Sequence, residues 1–387
     1  MRIAVDVRPI GPTQTGIGKV TWNLLWELGR LDSSNDYFLI GQGKPTQQIN
    51  ELARKYPNFR YLASHTPYDN KLPYFARAIY SDQFALPRAI RQIKPDLVHF
   101  SWFNVPIKIS RSFVMLIHDL YNFAEPDRYS WKFRLYYNSI VKRMAIRAAR
   151  IITISKASRD DIIKFLHIPK ERIDVIYLGV NHELFKQPDR PEIKRVQIKF
   201  GIRGDYIINT GGIGARKNLR ALLSAFFKLV DNGIKDLCLV ITGKINADIV
   251  ADLKLSTERK ILNDSIRFTG YVDERDLVCL YGGALALVYP SLYEGFGLPV
   301  LEAMACGTPV IASNISSLPE IAQSAALLVS PANEEEIARG ILEMRRDQRL
   351  RHNLIQMGLK RCREFLWSKS AAQLLIAYQK AVDSKKV

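Results

Sequence analysis

Short apolar runs, each closed by a turn and followed by a longer amphipathic stretch, recur along almost the whole chain. Runs of this kind suit strands buried on both faces, so the alternation predicts parallel sheets covered by helices. In the first half, strands are expected at 3–7, 37–40, 97–100, 113–118, 151–155 and 173–176, with helices at 18–29 and 130–149. In the second half, strands at 206–210, 237–242, 266–269, 285–289 and 310–312 alternate with helices at 218–231, 274–282, 299–305, 334–347 and 349–365. A chain of 387 residues exceeds the size at which single cores stop growing, so the pattern reads as two α/β domains. The polar segment Gln187-Pro188-Asp189-Arg190-Pro191 has linker composition and separates a doubly wound α/β domain over 1–187 from a second over 188–365. Two such domains in tandem leave a cleft between the carboxyl ends of their strands, where doubly wound sheets bind ligands.

A formal charge of +18 favours an anionic partner: nucleic acid, an anionic membrane surface or a phosphorylated small molecule. Asp6 interrupts the first apolar run, and no run of 18 apolar residues follows, so neither a signal peptide nor a membrane span is expected. The expected location is cytoplasmic, at most peripheral to a membrane. Cys238, Cys279, Cys306 and Cys362 lie far apart without a C-x-x-C pair, which argues for reduced, structural thiols rather than zinc ligands or disulfides.

Four strand-to-helix loops carry candidate chemistry. The stretch PIGPTQTGIGKVTWNLLW contains Gly16 and Gly18 but fits neither nucleotide loop: Thr13 and Val20 break a Walker spacing, and Thr21 breaks a dinucleotide fingerprint. YPSLYEGFGLPVLE, residues 289–302, follows an apolar strand. Gly295 and Gly297 allow close backbone approach, and Pro299 suits a first helical turn whose free N–H groups would face an anion or sugar hydroxyl. Glu302, one turn on, can accept hydrogen bonds from two vicinal hydroxyls; the plainer reading is a solvated glutamate. TGGIGARKNL, residues 210–219, sets Arg216 and Lys217 beside Gly212 and its neighbours at a helix entrance, where two cations can hold a diphosphate and offset charge on a leaving group. Taken alone, a basic pair is more often a solvated surface feature. His118-Asp119 closes the run VMLIHD, and the histidine is expected to point into the cleft.

With these residues in place, the chain resembles the retaining glycosyltransferases of the GT-B fold, particularly the large fourth family, which uses sugar nucleotides. Glu294 and Glu302 match that family's E-x7-E signature, and EGFGLPVLEAMACGTPVIAS matches its surroundings; TGIGKVTWNL, HDL, TISKAS and GGIGARKNL match further motifs along the chain. The resemblance implies two Rossmann-like domains facing across a cleft, with a C-terminal helix, about 366–387, crossing back onto the first. It implies that Glu302 binds the nucleotide ribose and Glu294 the donor sugar. Arg216 and Lys217 would bind the diphosphate, while the backbone of Phe296, Gly297 and Leu298 would hold sugar hydroxyls and phosphate. Gly243-Lys244 and Tyr271-Val272 would line the base pocket, His118 would approach the donor sugar from the opposite domain, and Asp119 would lie near the acceptor. Gly16 and Gly18 would let the first domain's backbone approach the donor or acceptor. No D-x-D triplet occurs, which fits a metal-independent enzyme without a cofactor. The implied reaction retains anomeric configuration, with the leaving phosphate helping to remove the acceptor proton. No flanking carboxylate pair is offered, so Glu294 is not read as a nucleophile.

The compact G-x-x-x-R-K-N-L loop looks like that of bacterial relatives using GDP-mannose; UDP-glucose, UDP-hexosamine and activated rhamnose stay open as donors. Residues 128–150 hold seven basic residues and no acidic one, interleaved with Trp131, Phe133, Tyr136 and Tyr137. Such a helix either sits on an anionic bilayer, implying a saccharide or polyprenyl-diphosphate-linked saccharide acceptor in surface polysaccharide assembly, or packs on the core with a solvated basic face. A basic nucleic-acid-binding protein is the alternative from another class, but no recognisable module supports it. A phosphorylase or a non-catalytic relative of the same fold also remains open.

Overall fold

The structure, a computed structural model, describes residues 1–11, 16–64, 74–212, 214–243 and 265–384. The chain forms two compact units, Met1–Gly179 with Trp367–Val387, and Val180–Leu366. The first join lies upstream of the expected 187/188. Val180 N–H already bonds the Phe365 carbonyl, and Phe185 packs by Tyr281, so the chain enters the second core before the proline-containing segment.

The first unit holds a parallel sheet of β1 (Arg2–Asp6), β2 (Asp36–Gln42), β3 (Phe59–Ser64), β4 (Leu97–Phe100), β5 (Ser112–Ile117), β6 (Arg150–Thr153) and β7 (Ile173–Val175). Its order is β3-β2-β1-β4-β5-β6-β7, so the winding reverses between β1 and β4. The second unit holds β8 (Asp205–Asn209), β9 (Leu237–Thr242), β10 (Ile266–Gly270), β11 (Ala286–Tyr289), β12 (Val310–Ser313) and β13 (Leu327–Val329). Their order, β10-β9-β8-β11-β12-β13, reverses between β8 and β11. Apolar faces of helices and central strands close a core in each unit, around Phe100, Met115 and Ile151 in one and Ile207, Phe226 and Val288 in the other.

The central strands fall close to their expected positions because burial on both faces makes them apolar throughout. β3 and β13 escaped the sequence reading. Both are edge strands; β3 reads FRYLAS with a half-buried middle, and β13 has three residues. The expected helix over 130–149 is interrupted: a short turn Trp131–Phe133, capped by Ser130, leads through a π-helical stretch Arg134–Asn138 into the helix Ser139–Arg147. It ends at Arg147 because Ala148 is already extended on its way into β6. All four cysteines are free and buried. Among the described residues, no helix is long and apolar enough to cross a membrane.

The C-terminal helix Trp367–Asp383 is held to the first unit by polar ties under its apolar face. Ser370 Oγ donates to the Tyr177 carbonyl at 2.6 Å, and the buried Tyr378 hydroxyl lies 2.5 Å from His99 Nδ1. Burial pushes His99 down to about 3, with His118 shifted the same way. The folded state therefore keeps these rings neutral while the unfolded chain takes up protons below the ordinary histidine value. Stability is complete above that value and falls as pH drops from about 6.5 towards 3, with His99 contributing on the order of 4 kcal/mol. Thermal melts of wild type against His99→Gln across that range are expected to show a flatter pH slope in the variant.

Candidate active site

In the second unit, loops leaving β8 and β11 depart from neighbouring strands towards opposite sides, which opens a crevice above their carboxyl ends. Glycine backbone lines it. Gly211 and Gly212 after β8 and Gly243 after β9 have φ of 105°, 79° and 117°. Gly212 N–H donates to the Thr242 carbonyl at 3.2 Å, and Gly243 N–H to the Gly270 carbonyl at 2.8 Å. A Cβ on Gly243 would stand 2.5 Å from both the nitrogen and Cα of Gly212. Backbone cannot step aside as a flexible side chain can, so Gly243→Ala is expected to cost about 3 kcal/mol or more. That cost should appear as a melting temperature lower by roughly 6–12 °C. Gly16→Ala provides the contrast, since a Cβ there meets nothing within 4 Å.

The basic pair on the β8 loop divides. Arg216 stays half-buried, and its carbonyl accepts from Leu292 N–H at 2.7 Å, tying the β8 loop to the β11 loop. Asn218, at φ 56°, adds a second tie through Nδ2 to the Pro290 carbonyl at 3.1 Å and the Pro331 carbonyl at 2.7 Å. Lys217 turns inward and is 6% exposed. Its Nζ lies 2.6 Å from Glu294 Oε1, bonds the Tyr289 hydroxyl and sits over the Tyr289 ring at 4.6 Å. The Tyr289 hydroxyl in turn donates to Glu294 Oε1 at 3.1 Å. Burial, reinforced by the Glu294 charge, holds that phenol well above its ordinary range and therefore neutral. The solvated reading of Lys217 is thus wrong. Lys217 and Glu294, expected as separate ligand groups, form one buried ion pair.

Past Glu294 the chain is pinned from the β12 side. Ser316 Oγ accepts from Glu294 N–H at 3.0 Å, and the Ser317 hydroxyl lies 2.9 and 2.8 Å from the Glu294 and Phe296 carbonyls. These contacts fix Gly295 and Phe296 and deliver Gly297, at φ 107°, as the cap of the helix Leu298–Ala305. A Cβ at Gly297 would meet Leu318 at 2.6 Å. Glu302 lies in the second turn of that helix and is only 7% exposed, so it is not a solvated glutamate. The Tyr281 hydroxyl bonds it and reaches Thr210 Oγ1 at 3.2 Å. Tyr271 is exposed and Val272 half-buried, immediately after Gly270. Lys244 lies outside the described residues. The sequence reading missed Ser316 and Ser317; the S-S pair just before L-P-E, a helix-start pattern, was the available signal.

In the first unit, His118 and Asp119 follow β5. Thr153 Oγ1 donates to the Ile117 carbonyl at 2.8 Å and Ser158 Oγ to the His118 carbonyl at 3.0 Å, so the TISKAS segment holds this turn. His118 Nε2 lies 3.1 Å from the Ser101 carbonyl, which makes Nε2 the protonated nitrogen. Burial lowers its pKa, so the ring is neutral near pH 7. Asp119 Oδ1 accepts from Tyr121 N–H at 3.2 Å. Gly16 and Gly18 stand in the first turn of the helix Gly16–Leu31.

A buried ionic cluster absent from the sequence reading occupies this unit's own reversal point. Arg8 grips both oxygens of Asp6 at 2.8 Å and reaches Asp82 Oδ1 at 2.7 Å. Trp102 Nε1 donates to Asp6 at 3.2 Å, and Ser101 Oγ bonds the Asp6 carbonyl at 2.8 Å, linking the cluster to the residue that orients His118. Burial pushes Asp82 up to about 6 despite Arg8. The signal was Asp6 inside an apolar strand with Arg8 two residues on. Aromatic rings also pack in sequence from Tyr121 through Tyr129, Phe133 and Tyr137 to Phe103, at centroid spacings of 6.4, 5.1, 4.3 and 6.3 Å; the two inner contacts are stacked and the two outer ones edge-to-face.

Among the described residues, no group of three or more His, Cys, Asp or Glu is placed to hold a metal ion. Two open parallel sheets, the second with a buried cation–carboxylate pair at its reversal point and a glycine-capped helix beside it, define a GT-B glycosyltransferase architecture. Solved structures agree on the fold: sucrose-phosphate synthase from Thermosynechococcus elongatus superposes with a TM-score of 0.78 at 18% identity, covering 98% of each chain. Anabaena HepE in complex with UDP and glucose gives 0.75 at 16%, covering 98% of this chain and 99% of that one.

Family models match in both halves, "Glycosyltransferase Family 4" over residues 15–184 and "Glycosyl transferases group 1" over 192–361. O-antigen chain mannosyltransferase B of Escherichia coli is 30% identical over 98% of this chain and 100% of its own length. O-antigen chain mannosyltransferase RfbU of Salmonella typhimurium is 30% identical over 71% and 72%. The chain belongs to the group 1 glycosyltransferases.

Proposed function

We propose that the protein is a retaining, metal-independent mannosyltransferase that moves mannose from GDP-mannose onto a saccharide or polyprenyl-diphosphate-linked saccharide in surface polysaccharide synthesis. The observation that carries the site assignment is the Lys217–Glu294 pair at the reversal point of the second sheet, flanked by buried Glu302. Glu302 accepts hydrogen bonds from the ribose diol. Arg216 and Lys217, with the backbone N–H groups opening the helix Leu298–Ala305, take the diphosphate and stabilise the charge that develops as it leaves, so no metal clamp is required. Glu294, fixed by Lys217 and Tyr289, contacts donor-sugar hydroxyls and does not act as a nucleophile. Gly212, Gly243, Tyr271 and Val272 border the base. His118, neutral and fixed by Ser101, serves the transferred sugar, and Asp119 and the aromatic series beside it serve the acceptor.

The mannose assignment rests on the E. coli and Salmonella relatives, both named O-antigen chain mannosyltransferases. UDP-glucose is the second donor, favoured by the UDP and glucose bound in the HepE structure. Exposed Trp131, Leu135 and Ile146 among basic residues support a peripheral location at an anionic membrane, while Val141, Met144 and Ala145 pack inward. Thermal shift against GDP-mannose, UDP-glucose, a UDP-hexosamine and activated rhamnose tests the donor. The largest stabilisation is expected from GDP-mannose, with transfer unchanged by EDTA. Preferential stabilisation by a UDP-sugar would replace the donor, and loss of activity in EDTA would overturn metal independence.

A further inference from the structure

The amino ends of β5, β6 and β7 border a depression of about 480 Å³, at the opposite end of β5 from His118. Arg111, Arg147 and Arg172 line it together with Ser110, Ser112 and Ser384, and none of its lining residues is acidic. A neighbouring depression of about 400 Å³ shares Ser110 and Arg147 and adds Arg91 and Lys108, again without a carboxylate.

Two of the arginines are held in place by main chain rather than by counter-ions. Arg147 donates to the Ile107 carbonyl at 2.6 Å and the Ile109 carbonyl at 2.9 Å. Arg172 donates to the Ile146 carbonyl at 2.9 Å and also to that of Ala148. These carbonyls include those ending the helix Ser139–Arg147, whose partial negative charge the guanidinium groups offset. Each guanidinium has five N–H donors, so two bonds to carbonyls orient the fork and leave others for a ligand. Arg111 adds a full charge at an exposed position. The nearest carboxylates in sequence are Glu171, which is exposed, Asp174, which accepts from Arg150 at 2.7 Å and Lys380 at 3.1 Å, and Asp383, which accepts from Gln379 Nε2 at 3.1 Å. The Ser112 and Ser384 hydroxyls donate to the Ala381 carbonyl, so the donors free for a ligand are the guanidinium N–H groups, and preoriented planar cations without an acidic neighbour in the lining match the oxygens of a phosphate far better than a carbohydrate or an apolar ligand.

We propose that this depression is a second anion site that binds a phosphate or diphosphate group. All its lining residues belong to the first unit, whereas the loops after β8 and β11 belong to the second, so the two residue sets do not overlap. The group can arrive on a lipid headgroup or on a soluble phosphorylated compound.

Titration calorimetry with inorganic pyrophosphate on the full chain tests it, using Arg111→Gln, Arg147→Gln and, as a control for the other anion loop, Arg216→Gln. A binding component is expected that weakens roughly tenfold in each of the first two variants and persists in the third. Arg111→Gln removes no carbonyl tether, so it remains informative if Arg147→Gln lowers the melting temperature. Absence of any component sensitive to Arg111 or Arg147 overturns the proposal, as does loss of all binding in Arg216→Gln. Flotation with phosphatidylcholine vesicles, with and without phosphatidic acid, identifies the source. Capture by phosphatidic acid that pyrophosphate reverses and Arg111→Gln weakens supports a lipid headgroup; pyrophosphate binding without such capture supports a soluble ligand.

Discussion

Replacing Lys217 by methionine is expected to lower kcat by about three orders of magnitude and to destabilise the second unit by about 3–5 kcal/mol. The two effects have different origins. Stability falls because Glu294 would be left buried without its cation, 2.6 Å from where Nζ had been, with the Tyr289 hydroxyl as the remaining side-chain donor to it among the described residues. On the proposed function, activity falls because a fixed positive charge is lost from the place where the diphosphate would leave. A second substitution separates them. In Lys217→Met/Glu294→Gln the unpaired carboxylate is gone, so melting temperature should largely recover while transfer stays lost. Recovery of both would mean that the pair is structural only.

Glu302→Ala is expected to act on donor binding. On the proposed role, two charge-assisted hydrogen bonds to vicinal hydroxyls contribute about 1.5–3 kcal/mol each, so donor KM should rise by roughly two to four orders of magnitude, with a smaller change in kcat. The fold should hold, because Tyr281 keeps its contact with Thr210. Steady-state kinetics against donor concentration, with a melt of the apo variant, give both numbers. An unchanged KM would remove Glu302 from the nucleotide site.

The sequence carried the local parts of this architecture well and the long-range parts poorly. Central strands such as β5 and β9 stood out because burial on both faces leaves no polar interruption, and Gly297 and Pro299 marked a helix entrance through their own backbone preferences. β3 and β13 did not, since edge strands need only one apolar face or a few residues. Glu294 and Glu302 were legible as a spaced pair. That Lys217 folds inward onto Glu294 was not, because it depends on two loops 77 residues apart being tied by Asn218 and Leu292. The Asp6–Arg8–Asp82 cluster was hidden for the same reason: Asp6 weighs against a signal peptide in the sequence, while its partner chemistry exists only once Asp82 is brought to the end of β1.

On the proposed function, the crevice above β8 and β11 binds a sugar nucleotide and transfers its hexose with retention. Proton NMR of the product formed from GDP-mannose and a saccharide acceptor reads that outcome. An α-mannosidic product, made with GDP release by wild type and absent with Lys217→Met, is the predicted result. A β-linked product, or undiminished transfer by Lys217→Met, would contradict it.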